Sequence, residues 1–201
     1  FSQQLVLDYD NCGANSIGFY MLDGKKSYTH TFQLDFSTEP IERFTITLTG
    51  RYSIAKAEYV NVGLIDRPMT SMYKAVLNLQ YATNLNKWIF DFTASLNGHC
   101  TVYKFMEQAK DAQGNLLYPN GKTPIYPLLY LQVTKRFKMV DIYLGGENLT
   151  NFRQKNVLLG SYDAQGKIDP MSASFDASQV WGPLMGIKAY LGIRVTLWKK
   201  S

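Results

Sequence analysis

The sequence predicts an all-β chain of antiparallel strands that wall a transmembrane β-barrel. Three observations predict it: period-two alternation in strand after strand, one strand face too polar for a dry core, and short turns alternating with long loops. The last stretch, Lys188 to Trp198, is the clearest case. Ala189, Leu191, Ile193, Val195 and Leu197 share one face, and Lys188, Tyr190, Gly192, Arg194, Thr196 and Trp198 share the other. Its length suits an outer-membrane strand of about 9–11 residues. A half-buried strand of a soluble sandwich also alternates, so the other elements have to decide.

In chain order, Leu5, Leu7 and Tyr9 alternate weakly. Ile17 to Leu22 then leads into Asp23-Gly24, a pair that predicts a hairpin with the following run, SYTHTFQLDFS. There Phe32, Leu34 and Phe36 oppose Thr31, Gln33 and Asp35. Thr38–Ile41 reverses the chain, with Pro40 unsuited to a strand centre. Arg43 to Ile54 is decisive: Phe44, Ile46, Leu48, Tyr52 and Ile54 share a face with Gly50. Arg43, Thr45, Thr47, Thr49, Arg51 and Ser53 share the other. Arginines and a threonine ladder make a poor sandwich interior and a good wall for a wet lumen.

Beyond the loop with Asp66-Arg67-Pro68, Tyr73 to Tyr81 sets Ala75, Leu77 and Leu79 against Asn78 and Gln80. Asn84–Asn86 turns the chain into Trp88, Phe90, Phe92, Ala94 and Leu96, alternating with Asp91, Thr93, Ser95 and Asn97. Leu129, Leu131 and Val133 follow a long loop. A basic turn, Lys135–Lys138, then leads to Val140, Ile142 and Leu144. Short turns at Thr38–Ile41, Asn84–Asn86 and Lys135–Lys138 thus alternate with long loops at Ala55–Met72, Gly98–Tyr126 and Asn148–Ile187. Short periplasmic turns and long outer loops are the membrane-barrel pattern. Seven strands are clear, and Leu5–Leu22 offers an eighth. Unpaired edges are costly in hydrocarbon, so either eight strands close on themselves or the chain belongs to a larger barrel.

Composition agrees. Fourteen Tyr, eleven Phe and three Trp accompany a slightly negative mean hydropathy of -0.18. No apolar run approaches the roughly eighteen residues of a membrane helix. No basic-then-apolar leader opens at Phe1, so a signal peptide is expected to be absent or removed, and the start reads as a cut inside a longer chain. The net charge of +5 raises nucleic acid as a partner, but Lys25-Lys26, Lys135-Arg136-Lys138 and Lys199-Lys200 sit at turns and ends, so none is expected. Cys12 and Cys100 show no metal spacing; two unpaired thiols are expected over a loop-to-loop disulfide.

The address comes from longer phrases. Tyr143-Leu144-Gly145-Gly146-Glu147-Asn148-Leu149-Thr150-Asn151-Phe152-Arg153-Gln154 resembles the segment near the C-terminus of TonB-dependent outer-membrane receptors. Phe175-Asp176-Ala177-Ser178 and Val180-Trp181-Gly182-Pro183 are similar to the phrase before the final strand in the SusC-like and related branch. The tail also looks like the signal read by barrel-assembly machinery, through Tyr190, Gly192, Val195 and Leu197. Two departures stand out: Ile187 separates Gly186 from the basic Lys188, and the chain ends Lys199-Lys200-Ser201 instead of on an aromatic residue. The likeness is sharp over Tyr143 to Trp198 and rests upstream on strand rhythm.

The resemblance implies that residues 1–201 are the last seven or eight strands of a 22-stranded barrel occluded by a plug domain. None of the plug is visible in this chain. It implies uptake of a scarce nutrient (siderophore, cobalamin, haem, glycan or peptide), with a periplasmic C-terminus in a Gram-negative outer membrane. Implied partners are outer-membrane lipid, the plug, the TonB complex through an N-terminal region, the assembly machinery and a surface lipoprotein. No cofactor is implied. The alternatives are a self-contained eight-stranded barrel with a structural or adhesive role, and a soluble lipocalin-like carrier.

No enzyme is expected. His30 and His99 lie far apart with no nucleophile motif, so no catalytic residue is assigned. Asp163, Asp169 and Asp176 match no EF-hand and read as solvated loop acids, leaving no metal site. Asn148-Leu149-Thr150 matches a glycosylation acceptor only by coincidence in a bacterial barrel. Trp181-Gly182-Pro183 is expected to fix a loop bend. Arg51, Tyr130, Tyr143 and Arg194 are the lumen-facing candidates for contact with ligand or plug, with lumen-wall packing as their simpler role. Trp88, Tyr73, Tyr81, Tyr28 and Tyr52 are expected to form interfacial girdles on the opposite face.

Overall fold

A computed structural model describes residues 3–13, 16–103, 107–158, 167–169, 171 and 180–197. The chain is all-β and antiparallel. Its strands are β1 Gln3–Gly13, β2 Ser16–Asp23, β3 Ser27–Ile41, β4 Phe44–Tyr59, β5 Gly63–Asp66, β6 Tyr73–Ala82, β7 Trp88–Asn97, β8 Tyr126–Arg136, β9 Val140–Glu147 and β10 Lys188–Val195. The large sheet runs β10-β9-β8-β7-β6-β4-β3, with β5 paired to the outer part of β4. Every neighbour on that path is the next long strand in the chain, so the sheet is a simple meander. It does not close on itself: β3 and β10 are its two ends among the described residues.

The register keeps the two faces separate across the sheet. Phe36, Leu48, Leu77, Ala94 and Leu129 are successive cross-strand partners, as are Ser37, Thr47, Asn78, Thr93 and Tyr130 one step along. A one-residue slip at any pairing would mix these rows. The aliphatic face is the open one: Leu34 is 75% exposed and Leu191 71%. The buried side chains of the large sheet inward of Lys56 are instead polar, with Ser53 at 8%, Ser95 at 6% and Thr134 also buried. A soluble sheet buries the opposite face.

The dry core lies off the main sheet, at the end carrying the long loops. Val6 on β1, Ala57 and Tyr59 on the outer part of β4, and Val102, Tyr103 and Tyr118 form it. Tyr59 and Tyr103 meet edge-on at 5.9 Å.

Several local expectations need correction. The Asp23-Gly24 turn does not join a hairpin to β3. β2 pairs with β1 as a separate two-stranded sheet, Val6 opposite Tyr20. Gly24 has the positive φ of such a turn, but Lys26 is bound to Glu58, whose N–H donates to the Lys26 carbonyl at 2.9 Å. Burial of Val6 then draws the hairpin onto the core. The first reversal falls at Glu42-Arg43, not Thr38–Ile41, and Arg43 leaves the strand with φ 67°. Pro40 sits where the β3–β4 register shifts, between Thr38 and Ile41. The Ala55–Met72 region is not all loop, because β4 continues to Tyr59 and turns back as β5. The last strand ends at Val195, short of Leu197; Trp198 lies outside the described residues.

Candidate functional site

The polar face carries several hydrogen-bonded clusters of hydroxyls, amides and carboxylates. Thr49 donates to Asp35 Oδ1 at 2.7 Å, and Gln33 Nε2 to Asp35 Oδ2 at 2.9 Å. Asn78 Nδ2 reaches Asp91 Oδ1 at 3.1 Å and Thr93 Oγ1 at 2.9 Å. Tyr190 donates to Gln132 Oε1 at 2.9 Å, and Gln132 in turn to Thr134 at 3.2 Å. Most of these bonds run across neighbouring strands or between residues two apart, where an alternating strand sets side chains on one face, whereas Tyr190 reaches from β10 over Gly145 of β9 to Gln132 on β8. Hydroxyls, amides and carboxylates so placed can bind water along the whole face.

Arg51, Tyr130, Tyr143 and Arg194 all lie on this face, at different levels. Arg51 shares a row with Gln33, Lys74, Asn97 and Tyr126, whereas Tyr130 pairs with Thr93. Tyr143 pairs with Thr134 and Gly192, and Arg194 with Asp141, whose carboxylate is held by Arg136 at 3.4 Å. On β8 those levels run from Tyr126 to Arg136, about 33 Å of strand at ~3.3 Å per residue. The four therefore form no single subsite.

The proposed assembly-signal residues separate likewise. Tyr190 and Gly192 belong to a reciprocal arrangement on β9–β10. Tyr190 faces Gly145 and Tyr143 faces Gly192, with the rings 6.3 Å apart. A Cβ on either glycine would overlap the opposite tyrosine ring. Each glycine is thus the seat of an aromatic ring. Val195 pairs with Val140 at the strand end, and Leu197 lies exposed beyond it.

The Tyr143–Gln154 and Val180–Pro183 stretches are clipped together at the long-loop end, whereas Phe175–Ser178 lies outside the described residues. Asn148 is buried with a left-handed backbone, φ 52°. Its amide donates to the carbonyls of Phe152 at 2.8 Å and Met185 at 2.9 Å, while its Oδ1 accepts from Thr150 and from the Phe152 N–H. Gln154, also buried, accepts at Oε1 from the N–H groups of Trp181 (2.8 Å) and Gly182 (3.0 Å), and its own N–H donates to the Pro183 carbonyl. Phe152 stacks on Tyr126 at 4.6 Å, and Trp181 tilts against both rings. Trp181 also donates to the Tyr118 hydroxyl at 3.1 Å. The expected bend at Trp181-Gly182-Pro183 is therefore held by Gln154. The sequence phrase contains Asn148 and Gln154, but not their bonding role, because some of their partners lie up to 37 residues away.

Beside this clip is a cavity of about 200 Å³ lined by Tyr118, Phe152 and Trp181 with Arg153, Lys155 and Asn156. Burial raises the Tyr118 phenol above its usual range, against the hydrogen bond from Trp181. Cys100 is a free, buried thiol whose pKa burial pushes up; the Cys12 side chain lies outside the described residues. His30 is exposed on β3 and His99 packs edge-on against Tyr73, on separate elements. Asp169 accepts the Met171 N–H, whereas Asp163 and Asp176 lie outside the described residues. Among the described residues no cluster of three or more His, Cys, Asp or Glu could hold a metal.

Comparison with known proteins adds no relative: no family model, curated protein or solved structure matches the chain.

Proposed function

We propose that this chain is part of the wall and outer loops of a TonB-dependent outer-membrane receptor, a transporter for a scarce nutrient. The observation that carries the reading is the inverted sheet: short of Lys56, its aliphatic face is open while its buried side chains are Ser53, Ser95 and Thr134. Water disfavours such a face, and hydrocarbon solvates it. Aromatic residues bracket the band, with Tyr28, Tyr52 and Tyr73 toward one end and Phe44, Tyr81, Trp88 and Phe90 toward the other. From Phe44 to Tyr52 is about 27 Å of strand, or roughly 20 Å of height at a ~40° tilt, close to the ~25 Å band of membrane barrels.

Two further features favour a piece of a large barrel over a closed eight-stranded one. The sheet has open ends at β3 and β10, and the receptor-like phrases carry an interlocking bond network at Asn148 and Gln154. A lipocalin-like carrier would need Ile46, Leu48, Ile193 and Val195 inside a pocket, whereas Ile193 and Val195 are exposed.

Spin labels at Leu144 and Leu191, and at Thr47 and Asp91, test the topology in the full-length protein in lipid. Oxygen should reach the first pair and a water-soluble paramagnet the second; the reverse pattern would overturn the membrane reading. Deleting the gene should abolish proton-motive-force-dependent uptake of one nutrient class. Uptake unaffected by an uncoupler would rule out the receptor mechanism.

A further inference from the structure

At the short-turn end, two neighbouring turns enclose an open groove of about 760 Å³. The Arg136 N–H donates to the Lys87 carbonyl at 2.8 Å, and the Thr196 N–H to the Met139 carbonyl at 2.9 Å, tying both turns and the end of β10 together. Four cations line the groove, Lys87, Lys135, Arg136 and Lys138, against the single carboxylate of Asp141. Arg136 already holds that carboxylate at 3.4 Å, and the three lysines make no ion pair among the described residues. Leu85, Phe137 and Met139 also line it and are exposed. Lys135 stands 4.2 Å over the Trp88 ring. Trp88, Lys135, Ile142 and Ile193 are successive cross-strand partners, so Lys135 borders the lower end of the aliphatic face, while Arg136 and Asp141 belong to the polar-face row of Arg194 one step on.

We infer that this groove seats the phosphate of an anionic membrane phospholipid, its acyl chains lying along Ile142, Leu144, Leu191 and Ile193. The inference rests on the membrane reading and adds a lipid partner to it. Uncompensated ammonium groups call for an anion. Exposed Leu85, Phe137 and Met139 call for an anion with an apolar body, which free phosphate lacks. Trp88 marks the depth, since an indole capped by a lysine belongs at the headgroup level.

The test uses the full-length protein in detergent, with bound lipid counted by native mass spectrometry. Phosphatidylglycerol should be retained at least tenfold better than phosphatidylcholine, and the doubly substituted Lys135→Gln/Lys138→Gln protein should lose that preference. Equal retention of the two lipids, or an unchanged preference in the variant, would overturn the inference. So would displacement by inorganic phosphate at equal concentration, which would mark a free-anion site. A spin label at Leu144 separates the two levels. If it reports hydrocarbon while lipid preference is absent, the groove assignment alone fails; if it reports water, the membrane reading fails with it.

Discussion

Leu48 lies at the centre of the aliphatic band, four residues from Phe44 and four from Tyr52, with Leu77 opposite it midway between Tyr73 and Tyr81. It is 48% exposed, so no protein cavity constrains what replaces it. Leu48→Lys therefore separates solvents cleanly. If water covers this face, the substitution behaves as a surface change and shifts stability by no more than about 0.5 kcal/mol. If hydrocarbon covers it, the lysine sits ~10 Å of height from either aromatic ring, near the midplane, where the cost is about 2–4 kcal/mol. That range is roughly a 30- to 700-fold change in the folding equilibrium. Thr47→Lys is the matched control on the polar face, losing one exposed hydroxyl contact to Ser37 at 3.1 Å, about 1 kcal/mol or less. Reversible guanidinium unfolding of the full-length protein in lipid vesicles reads both. A neutral Leu48→Lys beside a costly Thr47→Lys would refute the assignment of faces.

Three other changes probe the site. Gly192→Val should destabilise by about 1–3 kcal/mol because the new side chain meets the Tyr143 ring, and a Tyr143→Ala background should relieve most of that cost; equal costs in both backgrounds would refute the ring-on-glycine arrangement. Gln154→Ala leaves the Trp181 and Gly182 N–H groups without their acceptor, a loss of about 1–3 kcal/mol, and limited proteolysis should then cut near residues 180–187 at a rate the parent does not show. At the tip of the Lys110–Leu116 hairpin, the Asn115 N–H first of all, with the Asn115 amide and the Gln113 and Gly114 N–H groups, holds the Asp111 carboxyl below its usual range. Its contribution is therefore complete above the unfolded value of about 3.9 and is lost as pH falls through the lower folded value; an Asn115 amide shift titrating at or above 3.9 would contradict this.

The legible part of the fold is the part set by local periodicity. Alternation along Arg43–Ile54 and Trp88–Asn97 gives strand, face and neighbour at once, because each long strand pairs with the next in the chain. The same property put Arg51, Tyr130, Tyr143 and Arg194 on one face, yet alternation says nothing of height, and they lie at different levels. Asp23-Gly24 misled for a related reason. A turn signal fixes a reversal but not the partner of the incoming strand, and Val6 packs into a cluster with Ala57 and Tyr59, Tyr20 lying against it. Gly145 and Gly192 look like weak points in a strand until the opposing tyrosines are placed. Asn148 and Gln154 follow no local period, since each also works on backbone groups at the far end of the long loop.

The open sheet sharpens the proposal into a demand. β3 has 15 residues and β10 has 8, each bonded on one side within the described sheet. A strand directs about one backbone polar group per residue to each side, so the two free edges present on the order of twenty groups. At several kcal/mol apiece in hydrocarbon, the penalty far exceeds the ~5–15 kcal/mol by which a protein is stable. In water the same groups are solvated at little cost. The membrane reading therefore requires a partner strand on both β3 and β10, which a large barrel supplies with further strands of the full-length protein. Amide exchange along β3 decides it. With β4 as sole partner, only alternate amides are protected; with a strand on each side, consecutive amides from Phe32 to Thr38 are protected alike. An alternating pattern in the lipid-embedded full-length protein would remove the large barrel from consideration.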